Sequence, residues 1–306
     1  MQRLSFAFVR MICNSLIRPP LTPLQRLGIE IVDPVPCFRE LPWSGFAPTP
    51  FVQVLSPGRA GTRWLADVLL ASTRHAVIHS QVGSLGEIGY LLNHGRINDA
   101  EAFGAYLHAR ARALEFCHSS GCGLVDLDCK ISPMVPGLMR RFAEMRCVVV
   151  LRDPLAFVKS GMARGYFRSL HPQLLGHLSD PSRGEFAISG SDLDDQSQAR
   201  MIAWFWNRVA VLAQAVHEEN PQRVSLLDMN AMFGSRSTFG ARMSSLGLSV
   251  NMHRLASYRG FDQVKNANVK SFHTSFNVTE IASEIYRLAY TGLSCDFIAQ
   301  CGLTNS

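Results

Sequence analysis

The chain has 306 residues, of which 47% are hydrophobic and 18% are charged, so it can bury a sizeable core and is not expected to be disordered. Its formal net charge of +6 suits an anionic ligand, but no basic stripe or recognition motif indicates nucleic acid. The 8 cysteines include no C-x-x-C pair, which argues against a metal site and against a disulfide framework.

The first 50 residues differ from the rest of the chain because they are rich in proline and show little hydrophobic periodicity. Residues 1–50 are therefore predicted to form an arm on a main domain that covers residues 51–306. The first 29 residues contain four arginines and no acidic residue, but their apolar stretch, residues 4–9, is too short for a signal-peptide core or a membrane span. A cytoplasmic protein is expected, with membrane contact or targeting by the arm as the alternative.

Five short apolar runs predict buried strands, at residues 51–55, 76–79, 124–128, 147–151 and 224–228. Helical patterns lie between most of them, and the strongest covers residues 198–217. Such alternation with continuously apolar strands predicts an α/β fold of three layers, a central parallel sheet with helices on both faces. Ligands of these sheets bind beyond the carboxyl ends of the strands, so the loops after the first and fourth strands are predicted to share one rim.

The loop after the first predicted strand has the residues of a phosphate-binding loop. Gly58 and Gly61 allow a tight turn and close approach of a ligand, and the amides at residues 61–63 open a helix whose N-terminus attracts phosphate. No lysine follows Gly61, whereas nucleotide triphosphatases require G-x-x-x-x-G-K-[ST]. A glycine-bearing turn that merely joins a strand to a helix is the alternative.

A second candidate for anion binding follows the fourth predicted strand. Arg152, Asp153 and Pro154 come directly after residues 147–151, and Ser160 lies eight positions after Arg152. Arginine keeps its charge and can grip a phosphate with a two-pronged fork, so Arg152 and Ser160 are predicted to face one anion. Alternatively, this segment is a turn in which Asp153 caps a helix.

Both segments together resemble the sulfotransferases that use 3′-phosphoadenosine 5′-phosphosulfate (PAPS). In that family, R/K-[SAGT]-G-T/S-x between a strand and a helix grips the 5′-phosphosulfate, and a later R-[DN]-P-x5-S grips the 3′-phosphate. The resemblance covers about residues 51–250. It implies a P-loop-like sulfotransferase fold, PAPS as co-substrate without a metal, and a hydroxyl or amine acceptor on a small molecule, carbohydrate or lipid.

The resemblance also assigns roles to individual residues. The cofactor-binding residues that it implies are Arg59, Ala60, Gly61, Thr62, Arg63, Trp64, Arg152, Ser160 and Lys265. Arg59 matches the residue at the bridging oxygen of the phosphosulfate. Trp64 matches an aromatic that stacks on adenine in some members, or else is the first core residue of its helix. Lys265 lies in a stretch similar to the family's late cofactor clamp, but without its glycines, and a solvated connection is the alternative.

Transfer of a sulfuryl group in line needs charge stabilisation and a general base for the acceptor. Arg59 is expected to neutralise the departing phosphate oxygen, together with Lys130, which is similar to a lysine near the transferred group in carbohydrate-modifying members. Glu87 is the first candidate base because some bacterial sulfotransferases have a glutamate in a similar segment. His79 is the second because its imidazole titrates in a suitable range. The alternative is that His79 caps its strand and Glu87 starts a helix.

Two other functional classes stay open from the sequence. The first is a P-loop kinase or phosphotransferase in which Asp126 or Asp128 binds magnesium. The second is a non-catalytic nucleotide-binding relative. The sequence indicates neither the identity of the acceptor nor an oligomeric state.

Overall fold

The computed structural model describes residues 49–79, 83–93, 95–167, 194–262 and 276–303, without the side chains of Ser84, Glu87 and Tyr90. Nearly all of the predicted arm, residues 1–48, lies outside the described residues, and so does Lys265 in the predicted cofactor clamp.

Five strands form one sheet in which every neighbouring pair is parallel. The strands are β1 Phe51–Leu55, β2 Ala76–Ile78, β3 Leu124–Asp126, β4 Met145–Val150 and β5 Val224–Leu227. All five predicted strands are confirmed. The prediction succeeded because runs of valine, isoleucine and leucine suit a strand that is covered on both faces.

Eleven α-helices surround the sheet in the part of the chain that the structure describes. They are α1 Thr62–Ser72, α2 Gly83–Asn93, α3 Asp99–Ser120, α4 Val135–Arg141, α5 Pro154–Met162, α6 Asp195–Glu219, α7 Met229–Gly234, α8 Arg236–Ser245, α9 Met252–Ser257, α10 Ala282–Tyr290 and α11 Cys295–Gln300. Three 3-10 helices cover Cys129–Met134, Arg259–Asp262 and Val278–Ile281. Among these described helices, none has the length and apolar character needed to cross a bilayer.

The sheet separates two hydrophobic cores. Phe51 and Leu55 of β1 face the larger core, which they share with buried side chains of α3, α5, α6 and α10. Val52 and Val54 point the other way, into a core built with α1, α7, α8 and α9. This alternation follows from the period of two along a strand. The predicted α/β class, a central parallel sheet with helices on both faces, is confirmed.

The strand order β2-β3-β1-β4-β5 places the two candidate loops side by side. Leu55 at the end of β1 pairs with Val149 near the end of β4. The chain leaves β1 through α1 toward β2 on one side, whereas it leaves β4 through α5 and α6 toward β5 on the other side. Ligands of parallel sheets bind at such a point of divergence, so the fold puts the loops after β1 and β4 at the preferred position.

Candidate anion-binding site

The loop between β1 and α1 has the backbone of an anion cradle. Gly58, Arg59 and Gly61 have φ angles of 80°, 54° and 92°, in the left-handed region. A Cβ atom on Gly61 would lie 2.9 Å from the Phe233 ring, so this position requires glycine for space as well as for conformation. No side chain caps the N-terminus of α1, so its first N–H groups stay available to a ligand.

The 3-10 helix Cys129–Met134 contacts this loop on the side that faces the core. The Ser132 hydroxyl donates to the Ser56 carbonyl at 3.3 Å and to the Cys129 carbonyl at 2.7 Å. The Ser56 hydroxyl accepts from the Gly58 N–H at 3.1 Å, and Ser56 is fully buried. These contacts fix the path of the loop from its core side.

The second loop is held by side chains from two helices. Trp206 of α6 donates its indole N–H to the Arg152 carbonyl at 2.9 Å. One oxygen of Asp153 accepts from the Ala156 N–H at 2.7 Å, and the other accepts from the Tyr286 hydroxyl at 2.7 Å. Asp153 therefore caps α5, as one sequence interpretation held, while Arg152 next to it is exposed at the rim.

The two loops meet directly. Arg59 donates from Nε to the Ser160 hydroxyl at 3.0 Å, and Arg152 donates from Nη1 to the Arg59 carbonyl at 3.3 Å. These bonds join residues that are 101 and 93 positions apart in the chain. The predicted sharing of one rim is confirmed.

The described charged groups that act most strongly on Arg59 are themselves positive. The pKa of the half-buried Arg59 is lowered by burial and by the nearby guanidinium groups of Arg164 and Arg152. Two groups act in the other direction when ionised, Tyr166 and Cys129, but burial raises the pKa of each to about 12. Both are neutral near pH 7, so neither balances the charge of these guanidinium groups.

His79 lies at the N-terminus of α1, where its Nε2 is 3.2 Å from the Thr62 hydroxyl. Burial, followed by the charge of Arg63, lowers its pKa, which keeps the imidazole neutral and able to accept a proton near pH 7. Glu87, the first candidate base, lies within α2, and its side chain is outside what the structure describes.

Trp64 belongs to the smaller core. Its side chain is 2% exposed, its indole N–H donates to the Phe261 carbonyl at 2.8 Å, and its ring packs on Phe233, Phe239 and Phe261. The structure thus favours the core interpretation over stacking on adenine. Phe233 is 40% exposed and borders Gly61; it lies in an ordinary apolar pattern that gave no signal of a place beside the loop.

The remaining predicted residues are dispersed around the loop. Ala60 is buried, and Arg63 points outward with its Nε 3.5 Å from Asp67. Lys130 is 6% exposed in the 3-10 helix below the loop, where its N–H donates to the Asp128 carboxylate at 3.2 Å. The structure therefore brings Arg59 to the second loop and Thr62 to His79, and it buries Lys130 in the 3-10 helix that contacts the first loop.

The aspartates considered for magnesium form a buried ion-pair network instead. Arg110 of α3 is 2% exposed and lies 2.6 Å from the Asp126 carboxylate and 3.0 Å from the Asp128 carboxylate. The Tyr106 hydroxyl donates to Asp126 at 3.3 Å. Arg110 was missed at the sequence level because arginine in a helix is usually exposed. No group of three or more candidate ligands for a metal converges among the described residues.

Comparison of the chain with protein-family models, with curated proteins and with solved structures finds no match. The functional conclusion therefore depends on the residues of the site and their geometry.

Proposed function

We propose that the protein is a sulfotransferase that moves the sulfuryl group of PAPS to a hydroxyl or amine acceptor. The observation that supports it most is the Arg59–Ser160 hydrogen bond, which joins the R-A-G-T loop to the R-D-P-x5-S segment. A nucleotide phosphorylated at both the 5′ and 3′ positions needs two anion sites within one ligand length. The P-loop-like sulfotransferase fold is part of this proposal.

The residues present fit such a nucleotide. The open N-terminus of α1 and the glycine-bearing loop suit the 5′-phosphosulfate, and Arg152 with Ser160 suits the 3′-phosphate. The polyanion would supply counter-charge to the arginines of the rim. Arg59 stabilises the negative charge that develops on the departing phosphate oxygen, and Lys130 adds to the positive potential from below.

Among the described residues, His79 is suited to act as the base. It lies at the N-terminus of α1, and its lowered pKa keeps the imidazole neutral, as proton abstraction from an acceptor requires. Glu87 stays the alternative. His79→Gln and Glu87→Gln should separate the two: the variant of the base loses transfer while it retains nucleotide binding.

The ion pairs of Arg110 argue against the kinase alternative. Both of the aspartates that would hold magnesium are already paired with Arg110 in a dry environment. Binding of a metal there would require the ion pairs to break, which leaves Arg110 buried without a partner.

The binding test uses adenosine 3′,5′-bisphosphate in buffer that contains a metal chelator. At 100 times its Kd, the ligand should raise the Tm of the wild type by about 5 °C. The effect should disappear in Arg59→Ala and Arg152→Ala and persist in Arg74→Ala, an exposed control just before β2. Stabilisation by magnesium-ATP alone, with none by the bisphosphate, would overturn the proposal.

The activity test follows labelled sulfate from PAPS with and without a panel of hydroxyl and amine acceptors. Release or transfer of label by the wild type, and its loss in both arginine variants, supports an enzyme. A protein that binds the bisphosphate but never releases label is the non-catalytic relative.

A further inference from the structure

Arg164 is a charged residue of this region to which the sequence motifs assign no role. It follows α5 in a turn where its N–H donates to the Gly161 carbonyl at 3.0 Å. It is four positions after Ser160, which accepts the Arg59 hydrogen bond. The Arg164 charge is the nearby charge that lowers the pKa of Arg59 most, so the two guanidinium groups lie near each other.

One nitrogen of the Arg164 guanidinium is left without a partner by the described residues. This atom, Nε, is buried and has no hydrogen-bond acceptor among the described residues. Arg200 on α6 shows the usual arrangement, because its Nε and Nη2 donate to the Glu284 carboxylate at 2.9 and 3.1 Å. A buried charged donor without an acceptor is costly, and its natural complement is an oxyanion.

The surroundings of Arg164 agree with an oxyanion ligand. Arg164 and Arg59 repel each other, and this repulsion contributes to the lowered pKa of Arg59. Tyr166, two positions later, also lies near both guanidinium groups, and its buried hydroxyl is neutral because its pKa is raised to about 12. The described residues in this corner offer donors and no carboxylate to Arg164.

We infer that Arg164 binds an oxyanion beside Arg59, and that this oxyanion is the sulfuryl group of the donor. The identity of the ligand rests on the proposed function, whereas the need for an oxyanion does not. In the transfer, the bond from sulfur to the bridging phosphate oxygen breaks with its electron pair going to that oxygen. The acceptor oxygen or nitrogen bonds to sulfur and its proton goes to the base, while Arg164 holds the sulfuryl oxygens in line.

This role predicts a specific split between two nucleotides. Arg164→Gln should weaken the binding of PAPS about tenfold, the change expected from losing one charge-assisted hydrogen bond. The same variant should bind adenosine 3′,5′-bisphosphate, which lacks the sulfuryl group, within twofold of the wild type. Arg164→Lys should recover part of the loss, because it restores charge without the fork.

The measurement is titration calorimetry of both nucleotides at low salt without an acceptor. Arg74→Gln is the matched control for the change of net charge, and equal Tm values of the unliganded proteins exclude misfolding. An equal loss for both nucleotides would assign Arg164 to a phosphate and overturn the inference, as would no loss for either.

Inorganic sulfate separates this inference from the proposed function. If the wild type binds neither nucleotide, the sulfotransferase proposal fails, and sulfate alone then tests the oxyanion site. Binding of sulfate by the wild type and not by Arg164→Gln keeps the site. Absence of sulfate binding by the wild type overturns it.

Discussion

Two arginine-containing regions at the carboxyl ends of adjacent strands differ in how their charge is balanced. Arg110, beside β3, is paired with two carboxylates and a tyrosine and is almost fully buried. Arg59, beside β1 and β4, is repelled by Arg152 and Arg164, and no carboxylate of the described residues is among the leading groups that shift its pKa. The first arrangement is balanced by described carboxylates, whereas we propose that a ligand balances the second.

The energetic reason is the cost of burying charge. A buried ion has to recover its lost hydration from partners, and a folded chain normally supplies them. Like charges can also cluster at the edge of a sheet with hydrogen-bond donors that have no partner. Such a cluster is retained where function requires it. Arginine thus has a structural role in one region and, under the proposed function, a ligand-binding role in the other.

The largest effect on stability is expected when the ion pairs of Arg110 are broken. Arg110→Met leaves two buried carboxylates without their cation and should lower the free energy of unfolding by about 3 to 5 kcal/mol. Chemical denaturation measures the change. Adding Asp126→Asn and Asp128→Asn to the same protein should recover part of it. A near-neutral single variant would show that the network is not structural.

Removing a charge from the cluster around Arg59, by contrast, should not lower the stability of the unliganded protein. Arg59→Gln removes a repelled charge, so the free energy of unfolding should stay within about 0.5 kcal/mol of the wild type or rise. Affinity for adenosine 3′,5′-bisphosphate should fall about 10- to 100-fold, as expected for a hydrogen bond to a charged group. Denaturation and calorimetry on one preparation test both. Equal losses of stability and binding would contradict the comparison.

A smaller effect is expected from the contact that holds the second loop. Tyr286→Phe removes the hydroxyl that donates to Asp153 and should lower stability by about 1 kcal/mol. Because Asp153 fixes the segment next to Arg152, the preference for adenosine 3′,5′-bisphosphate over AMP should fall severalfold. The ratio of the two dissociation constants is the readout, and Tyr258→Phe near Gly260 is the control. An unchanged ratio would mean that Tyr286 supports the fold without positioning Arg152.

The smallest effect concerns pH. The folded-state pKa of His79 lies below its ordinary value of 6.5, so the unfolded chain takes up its proton first as the pH falls. Stability is unaffected by this group above pH 6.5 and decreases as the pH falls from 6.5 to the folded-state pKa. His79→Gln should make this decrease shallower but not abolish it, because the pKa values of His75 and His108 are also lowered.

Local patterns were sufficient for the sheet and for one cap, but not for the burial of single side chains. The apolar runs predicted all five strands, and Asp153 caps α5 as its sequence neighbourhood indicated. Asp153 as a cap and Arg152 as an anion ligand were posed as alternatives, yet the geometry accommodates both. Trp64 was ambiguous because its surroundings, Phe239 and Phe261, come from helices 175 and 197 positions later. The pairing of Arg110 with two carboxylates depends on tertiary contacts that no local pattern encodes. The same is true of the Arg164 Nε, which has no acceptor among the described residues.

The 101-residue span of the Arg59–Ser160 bond has a consequence for folding kinetics. The loop after β1 is local, but its partner arrives only when β4 pairs with β1, a step with a large loop-closure entropy. A fragment that ends before β4 would contain the glycine-bearing loop and still lack the rim. During refolding, a fluorescent analogue of adenosine 3′,5′-bisphosphate should therefore gain signal only after β4 has paired with β1. The rate of ligand binding would then report the rate at which the centre of the sheet forms.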